Sequence, residues 1–234
     1  MQIQHIAIIM DGNRRFAKRL MLEPWKGHEY GAKKLQEVLE WCKEFKIKIV
    51  TLYTLSIQNL FSRPKNELEF ILNEFREQFK KILDNNNSVH KEKVKINIIG
   101  RIELLPKDLQ NLFLKIMEKT KNYSNYILNF AIAYGGQEEI TDAVKKVSED
   151  VKSGKIEIKD INEEIVRNAL YTGNLPYPDI IIRTGGEKRI SNFLLWQSAY
   201  SELFFLDKMW PEITKEDFIQ VLKEFEKRER RFGR

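Results

Sequence analysis

The chain has little of what would settle its class at a glance. Among its 234 residues there is one cysteine, Cys42. A lone thiol can neither close an intrachain disulfide nor supply a cysteine metal cage, which predicts a reducing, cytoplasmic setting. No apolar run approaches the ~20 residues a bilayer span needs, and Asp11 interrupts the first apolar stretch before a signal-peptide core is reached. Glycine and proline are few, 11 and 6, and no stretch rich in either marks a linker, so a single domain over residues 1–234 is expected. Neither a Walker string nor Gly-x-Gly-x-x-Gly occurs, which removes the common nucleotide-binding loops.

What is present is an ordinary globular mixture. Hydrophobic residues make up 42% and charged residues 32%, enough apolar matter for a sizeable core. Lys+Arg 40 exceed Asp+Glu 34 by a formal +6, which suits an anionic partner. The basic residues form no stripe interleaved with aromatics and no reader motif, so nucleic acid is not expected to be that partner.

Short β-branched runs alternate with segments of helical period. Strands are predicted over 3–9, 47–54, 94–99, 126–133, 180–183 and 202–206, and helices over 32–45, 67–83, 107–119, 138–151, 162–171, 191–196 and 215–230. The alternation predicts an α/β fold: one layered domain whose mostly parallel central sheet of about six strands is flanked by helices. Parallel crossovers gather the strand-to-helix turns at one edge, so the polar segments 11–15, 56–63 and 183–192 are expected to converge on one rim.

Four constellations can carry chemistry. Met10-Asp11-Gly12-Asn13-Arg14-Arg15 follows the first strand. A carboxylate there can bind a hard divalent cation, Gly12 lets backbone amides approach an anion, and paired arginines suit phosphate oxygens. The same string also serves as a plain tight turn. Gly27-His28-Glu29-Tyr30-Gly31 sets a histidine at a helix start, either beside a bound anion or as packing. Ser56-Ile57-Gln58-Asn59, with Arg63-Pro64 and Glu67, is either a capped helix start or a diphosphate cradle. The most specific is Arg183-Thr184-Gly185-Gly186 running on to Arg189, Ser191 and Asn192. Two guanidiniums and a hydroxyl around a glycine turn suit a diphosphate better than a single phosphate. Glu202 follows on a short strand, either as a second metal carboxylate or as a polar strand end. Leu68, Ile71, Leu72, Phe75, Phe79 and Ile82 share one helical face, either core or a wall for a long apolar chain beside such a site.

In these segments the chain resembles the cis-prenyltransferases, and most closely the bacterial undecaprenyl diphosphate synthases. The resemblance rests on His-x-Ala-x-Ile-Met-Asp-Gly-Asn-x-Arg over 5–15 and on Arg-Thr-Gly-Gly-Glu-x-Arg-x-Ser-Asn-Phe-Leu-Leu-Trp-Gln over 183–197. Arg231-Phe232-Gly233 is similar to the family's C-terminal Arg-x-Gly element, which reaches the partner subunit's active site. The Asp-Asp-x-x-Asp motif of the all-helical trans-prenyltransferases is absent.

The resemblance implies head-to-tail addition of isopentenyl diphosphate to an allylic starter, usually farnesyl diphosphate, with each new double bond cis. It implies Mg²⁺, a homodimer and, in bacteria, a lipid carrier for cell-wall assembly; a greasy product implies transient membrane contact on release. Carried over residue by residue, Asp11 would bind Mg²⁺ bridging a diphosphate. Gly12, Asn13, Arg14, Arg15 and Phe16 would cradle the allylic substrate, with Ser56, Asn59 and Arg63 close by. His28 and Asn13 would assist departure of the diphosphate. Arg183, Arg189 and Ser191 would hold the isopentenyl diphosphate, and Glu202, with Gly233, would complete that site near or across the dimer seam. Two segments depart from the family pattern. The string Ser-x-Glu-Asn-Trp-x-Arg-Pro is one residue longer over 56–64 and lacks the Glu and Trp, and Pro24 stands where an arginine is common. Both lie on the starter's side.

Overall fold

Isoleucine, valine and leucine dominate most of the short strand segments, and the central ones are buried on both faces, as strands covered by helices on both sides must be, whereas the edge strands are only partly covered. In the computed structural model, which describes residues 3–228, these are β1 (His5–Ile9), β2 (Ile49–Ser56), β3 (Val94–Ile99), β4 (Tyr126–Tyr134), β5 (Ile180–Arg183) and β6 (Glu202–Phe205). Between and after them run α1 (Asn13–Arg19), α2 (Gly27–Glu44), α3 (Ile57–Ser62), α4 (Lys65–Ile82), α5 (Ser88–Lys91), α6 (Lys107–Thr120), α7 (Gly136–Lys152), α8 (Glu163–Ala169) and α9 (Lys215–Lys227). The strands form one sheet in the order β3-β4-β2-β1-β5-β6, with every neighbouring pair parallel. The sheet is thus wholly parallel rather than mostly so.

One face carries the larger core. There Val38 and Cys42 of α2, Phe75 and Phe79 of α4, Phe113 of α6 and Phe218 of α9 pack on the even-numbered strand residues such as Ile6, Leu52 and Ile182. Burial pushes the Cys42 thiol up to about 12, which leaves it an inert packing group. On the opposite face Ala7, Ile9, Ala131 and Ile181 meet Phe193 and Leu194. Among the described residues no helix is long and apolar enough to cross a membrane.

The order of strands fixes where a ligand can sit. From β1 the chain proceeds to β2 and onward to β3 and β4, then returns across β1 to β5 and β6. The reversal between β1 and β5 opens a crevice beyond their carboxyl ends, the usual binding place in open parallel sheets.

Across the middle of the sheet a polar ladder links four of the strands. His5 pairs through Nε2 with the Thr51 hydroxyl at 2.7 Å, Asn129 donates to that hydroxyl oxygen at 2.8 Å, and Asn97 donates to Asn129 at 2.8 Å. The other ring nitrogen of His5 meets the Pro176 carbonyl at 2.7 Å. Burial drives the His5 pKa down to about 4, so the ring is neutral and each nitrogen is matched.

Three predicted elements differ. The segment 191–196 is not a helix but a chain of turns, because Ser191, Asn192 and Leu194 sit at φ of 49°, 65° and 47°, conformations a right-handed helix cannot contain. Residues 57–62, read as part of a loop, form α3, whose amino end Ser56 caps by accepting from the Asn59 amide at 3.0 Å. Helix α2 starts at Gly27, five residues before the predicted start, continuing from a 3₁₀ turn at Pro24–Lys26.

Candidate active site

The polar string after β1 turns sharply. Gly12 adopts φ 104°, and a Cβ there would lie 2.8 Å from that of Met209, so both the turn and the packing demand glycine. The turn places the Asp11 carboxylate at the crevice: Oδ1 accepts from the Gly12 amide at 2.6 Å and Oδ2 from Arg183 at 2.8 Å. Its backbone carbonyl is held twice, by the Thr184 hydroxyl at 2.7 Å and the Trp210 amide at 2.9 Å. The indole of Trp210 donates in turn to the Gly31 carbonyl at 2.9 Å, tying α2 to the same rim.

Arg183 ends β5 with its side chain only 5% exposed. Besides Asp11 it donates to the Arg189 carbonyl and, at 2.7 Å, to the Ser191 hydroxyl. Gly185, at φ 86°, lets Arg15 reach its carbonyl at 2.6 Å; a Cβ there would sit 2.6 Å from that guanidinium. The loop is thus tied directly to the Asp11 turn. Arg189 is exposed and paired with Glu187 at 2.5 Å.

The third cluster gathers on Glu67, whose side chain is 3% exposed. Arg63 bonds directly to its Oε1, Arg14 stands at 3.5 Å and His28 at 3.8 Å. Burial first, then the Arg63 charge, pulls the His28 pKa down to about 4 against the opposing carboxylate, so the imidazole is neutral. Sequence reading placed Glu67 near this string but gave it no role; its spacing of four from Arg63 on α4 was the available signal.

These clusters share one cavity of about 850 Å³. Its polar mouth is formed by Asp11, Asn13, Arg14, His28, Arg63, Arg183, Arg189 and Ser191, with Ser56 and Asn59 from the α3 start. Inward it passes between α2 and α4 along Leu35, Ile71, Phe75, Phe79 and Phe130. A side recess of about 360 Å³ adds Gly12, Arg15 and Lys18 to Asp11, Arg14 and Arg63. Asn13 Oδ1, His28 Nε2, Arg63 Nε and Arg183 Nε are buried there without a hydrogen-bond partner. Such orphaned groups are costly unless something completes them.

The predicted convergence of the three polar segments on one rim therefore holds. Two site residues do not join it. Phe16 packs edge-on to Tyr30 at 5.2 Å under Arg19 and is not a wall of the cavity. Glu202 begins β6 opposite Ile180, at the far end of the strand from Arg183, and accepts from Arg228 at 2.6 Å. Within one chain it does not share a metal with Asp11. Gly233, with Arg231 and Phe232, lies outside the described residues.

The family model described as "Putative undecaprenyl diphosphate synthase" matches residues 9–233. The chain belongs to that family. It is a prenyl transferase of the cis-condensing class. It is 53% identical over 231 residues, 99% of this chain and 87% of the relative, to the tritrans,polycis-undecaprenyl-diphosphate synthase (geranylgeranyl-diphosphate specific) of Pyrococcus horikoshii. With the protein of the same description from Methanocaldococcus jannaschii it shares 49% over 233 residues, 99% of this chain and 82% of that one. Among solved structures, lavandulyl diphosphate synthase from Lavandula x intermedia, in complex with dimethylallyl diphosphate, matches with a TM-score of 0.92 at 29% identity, covering 100% of this chain and 99% of that one. A "probable undecaprenyl diphosphate synthase" from Campylobacter jejuni matches with 0.80 at 33% identity, covering 100% of both.

Proposed function

We propose that this synthase adds isopentenyl diphosphate repeatedly, in cis, to geranylgeranyl diphosphate and releases a diphosphate of undecaprenyl length. The observation that carries the reading is the Asp11–Arg183 contact: it joins two anion-ready loops at the mouth of one apolar cavity. Farnesyl diphosphate, the starter expected from sequence, gives way to the longer one. The archaeal relatives are described as geranylgeranyl-specific, and the two departures from the bacterial pattern lie on the starter's side.

The residues divide the work. Arg14, Arg63 and the amides after Gly12 receive the starter's diphosphate and stabilise the negative charge that builds on it as the allylic carbon–oxygen bond breaks. Neutral His28 donates or accepts without adding charge there, while Asn13, anchored through Nδ2 to the Met10 carbonyl at 3.1 Å, is the neighbouring polar group. Arg183, Arg189 and Ser191 hold the isopentenyl diphosphate so that its double bond faces the allylic carbon, which converts an encounter into a positioned step. The apolar walls keep water from the cationic centre and take up the growing chain.

The donor set fits Mg²⁺. Among the described residues no group of three or more His, Cys, Asp or Glu could cage a metal, and Mg²⁺ at phosphate sites is held by one or two carboxylates with substrate oxygens and water. Asp11 would hold it, and it would supply charge neutralisation to the leaving diphosphate. The proposed working form is a homodimer in which Glu202 and Gly233 serve the neighbouring site. The test is turnover of labelled isopentenyl diphosphate with Mg²⁺ and either starter. Polyprenyl product with a higher kcat/KM for geranylgeranyl diphosphate is expected; no incorporation, or preference for farnesyl diphosphate, overturns the proposal.

A further inference from the structure

Tyr53 stands between the two substrate loops and belongs to neither motif. It lies on β2 where pairing with β4 slips, since Tyr53 faces Ala131 but Leu55 faces Ile132. Such an irregularity re-aims side chains next to a site. Tyr53 and its neighbour Thr54 both line the cavity, which regular alternation would not allow.

The Tyr53 ring stacks on Phe193, with centroids 4.6 Å apart and planes 12° from parallel. Its hydroxyl donates to the Ser191 carbonyl at 3.1 Å, and the Ser56 side chain stands close enough to favour its ionised form, although burial holds the phenol protonated. Tyr134 meets both Tyr53 and Phe193 edge-on, at 5.9 and 6.0 Å, and so wedges the stacked pair. The anchoring matters because Ser191 lies at φ 49°, a left-handed conformation unfavourable for serine, followed by Asn192 at 65°. From the other side Asn192 is pinned to α7: its carbonyl accepts from the Gly136 amide at 2.7 Å and its side chain from the Gln137 amide at 2.9 Å. That remote residue caps a helix whose own N-cap, Gly135, has no side chain to do so. Tyr53 and α7 together hold the Ser191 hydroxyl 2.7 Å from Arg183.

We propose that Tyr53 is a positioning residue for the isopentenyl diphosphate, acting through Ser191 and not on the starter. This rests on the functional reading above. Removing the phenol oxygen frees the strained Ser191 to relax, which withdraws its hydroxyl from the diphosphate while leaving the ring stack in place.

The experiment is a steady-state double-mutant cycle of Tyr53→Phe and Ser191→Ala, with KM measured separately for isopentenyl diphosphate and for the starter. Expected for Tyr53→Phe is a rise of about ten-fold in the isopentenyl KM, with kcat and the starter KM within about two-fold of the parent. In the Ser191→Ala background the same change should add nothing. An unchanged isopentenyl KM, a parallel change in both KM values, or full additivity in the double variant each overturns the proposal. A parent enzyme that turns over normally beside an unaffected Tyr53→Phe variant sinks this inference alone, whereas an inactive parent sinks the functional reading. Thermal melting of both variants separates a folding defect: Tyr53→Phe should melt within a few degrees of the parent, and a collapse of melting with the KM change counts against positioning.

Discussion

Arg183 reaches across the crevice between β5 and β1 and donates to Asp11 Oδ2 at 2.8 Å, joining residues that stand 172 positions apart in the chain. Each is the other's charge partner. A largely buried guanidinium left without that partner bears most of its desolvation cost uncompensated.

Asp11→Ala is therefore expected to act twice. Turnover of labelled isopentenyl diphosphate should fall by about 10³-fold or more, since the carboxylate proposed to hold the metal and align charge at the leaving group is lost. Urea unfolding should show a loss of about 3 kcal/mol, because Arg183 is left buried and unpaired. Unchanged turnover would remove Asp11 from the chemistry.

Glu67→Ala tests the third cluster. It leaves Arg63, Arg14 and His28 facing one another without their shared carboxylate, and melting should drop by several degrees. Added inorganic diphosphate replaces the missing negative charge, so the stabilisation it confers should exceed that seen with the parent. An equal shift in both proteins would mean that Glu67 is not the local counter-charge.

The motifs on consecutive residues were legible because one short string carries the whole signal: Asp11 to Arg15, and Arg183 to Ser191. Strands β1 and β5 were legible from their isoleucine runs, and the others from short β-branched or aromatic stretches between turn signals. What sequence could not show was set by distance or strain. Glu67 unites Arg63, four residues away, with His28, 39 residues away, and only the packing of α2 on α4 brings the last into place. The turns over 191–196 read as a helix because propensity says nothing of left-handed backbone imposed by Arg183, Tyr53 and α7. Which end of a strand a residue occupies was equally hidden: Glu202 starts β6 opposite Ile180, away from Arg183 of its own chain.

The cavity's inner end also became readable. Of the face formed by Leu68, Ile71, Leu72, Phe75, Phe79 and Ile82, readable from sequence either as core or as a wall, Ile71, Phe75 and Phe79 line the cavity. Phe79 sits 4.9 Å from both Phe113 and Phe130 in an edge-to-face cluster. Phe79→Ala should lengthen the product on chromatography while costing about 3–5 kcal/mol of stability; Phe79→Leu should do less of each. Products of unchanged length from both variants would place the floor elsewhere.

Stability should also fall with acid. The folded His5 pKa of about 4 lies below its ordinary 6.5. Above 6.5 both states are neutral and the contribution is complete; as pH falls from 6.5 through 4 the unfolded chain takes a proton that the folded chain refuses. The loss approaches about 3 kcal/mol before levelling off. His28 acts in the same direction, and Glu139, whose pKa burial raises, acts in the opposite one. Urea titrations between pH 4 and 7 should show the decline, and His5→Asn should flatten it relative to the parent.

The ladder of His5, Thr51, Asn129 and Asn97 has a further consequence for catalysis. A strand as repetitive as His5–Ile9 holds almost no information about how far it should slide along β2, and a slip of one residue would turn every side chain over. The polar rungs supply that information: only one alignment of β1, β2, β4 and β3 matches every donor to an acceptor. The spacing of the tips that follow β1 and β2, at Asp11 and Ser56, is in this way calibrated by hydrogen bonds in mid-sheet.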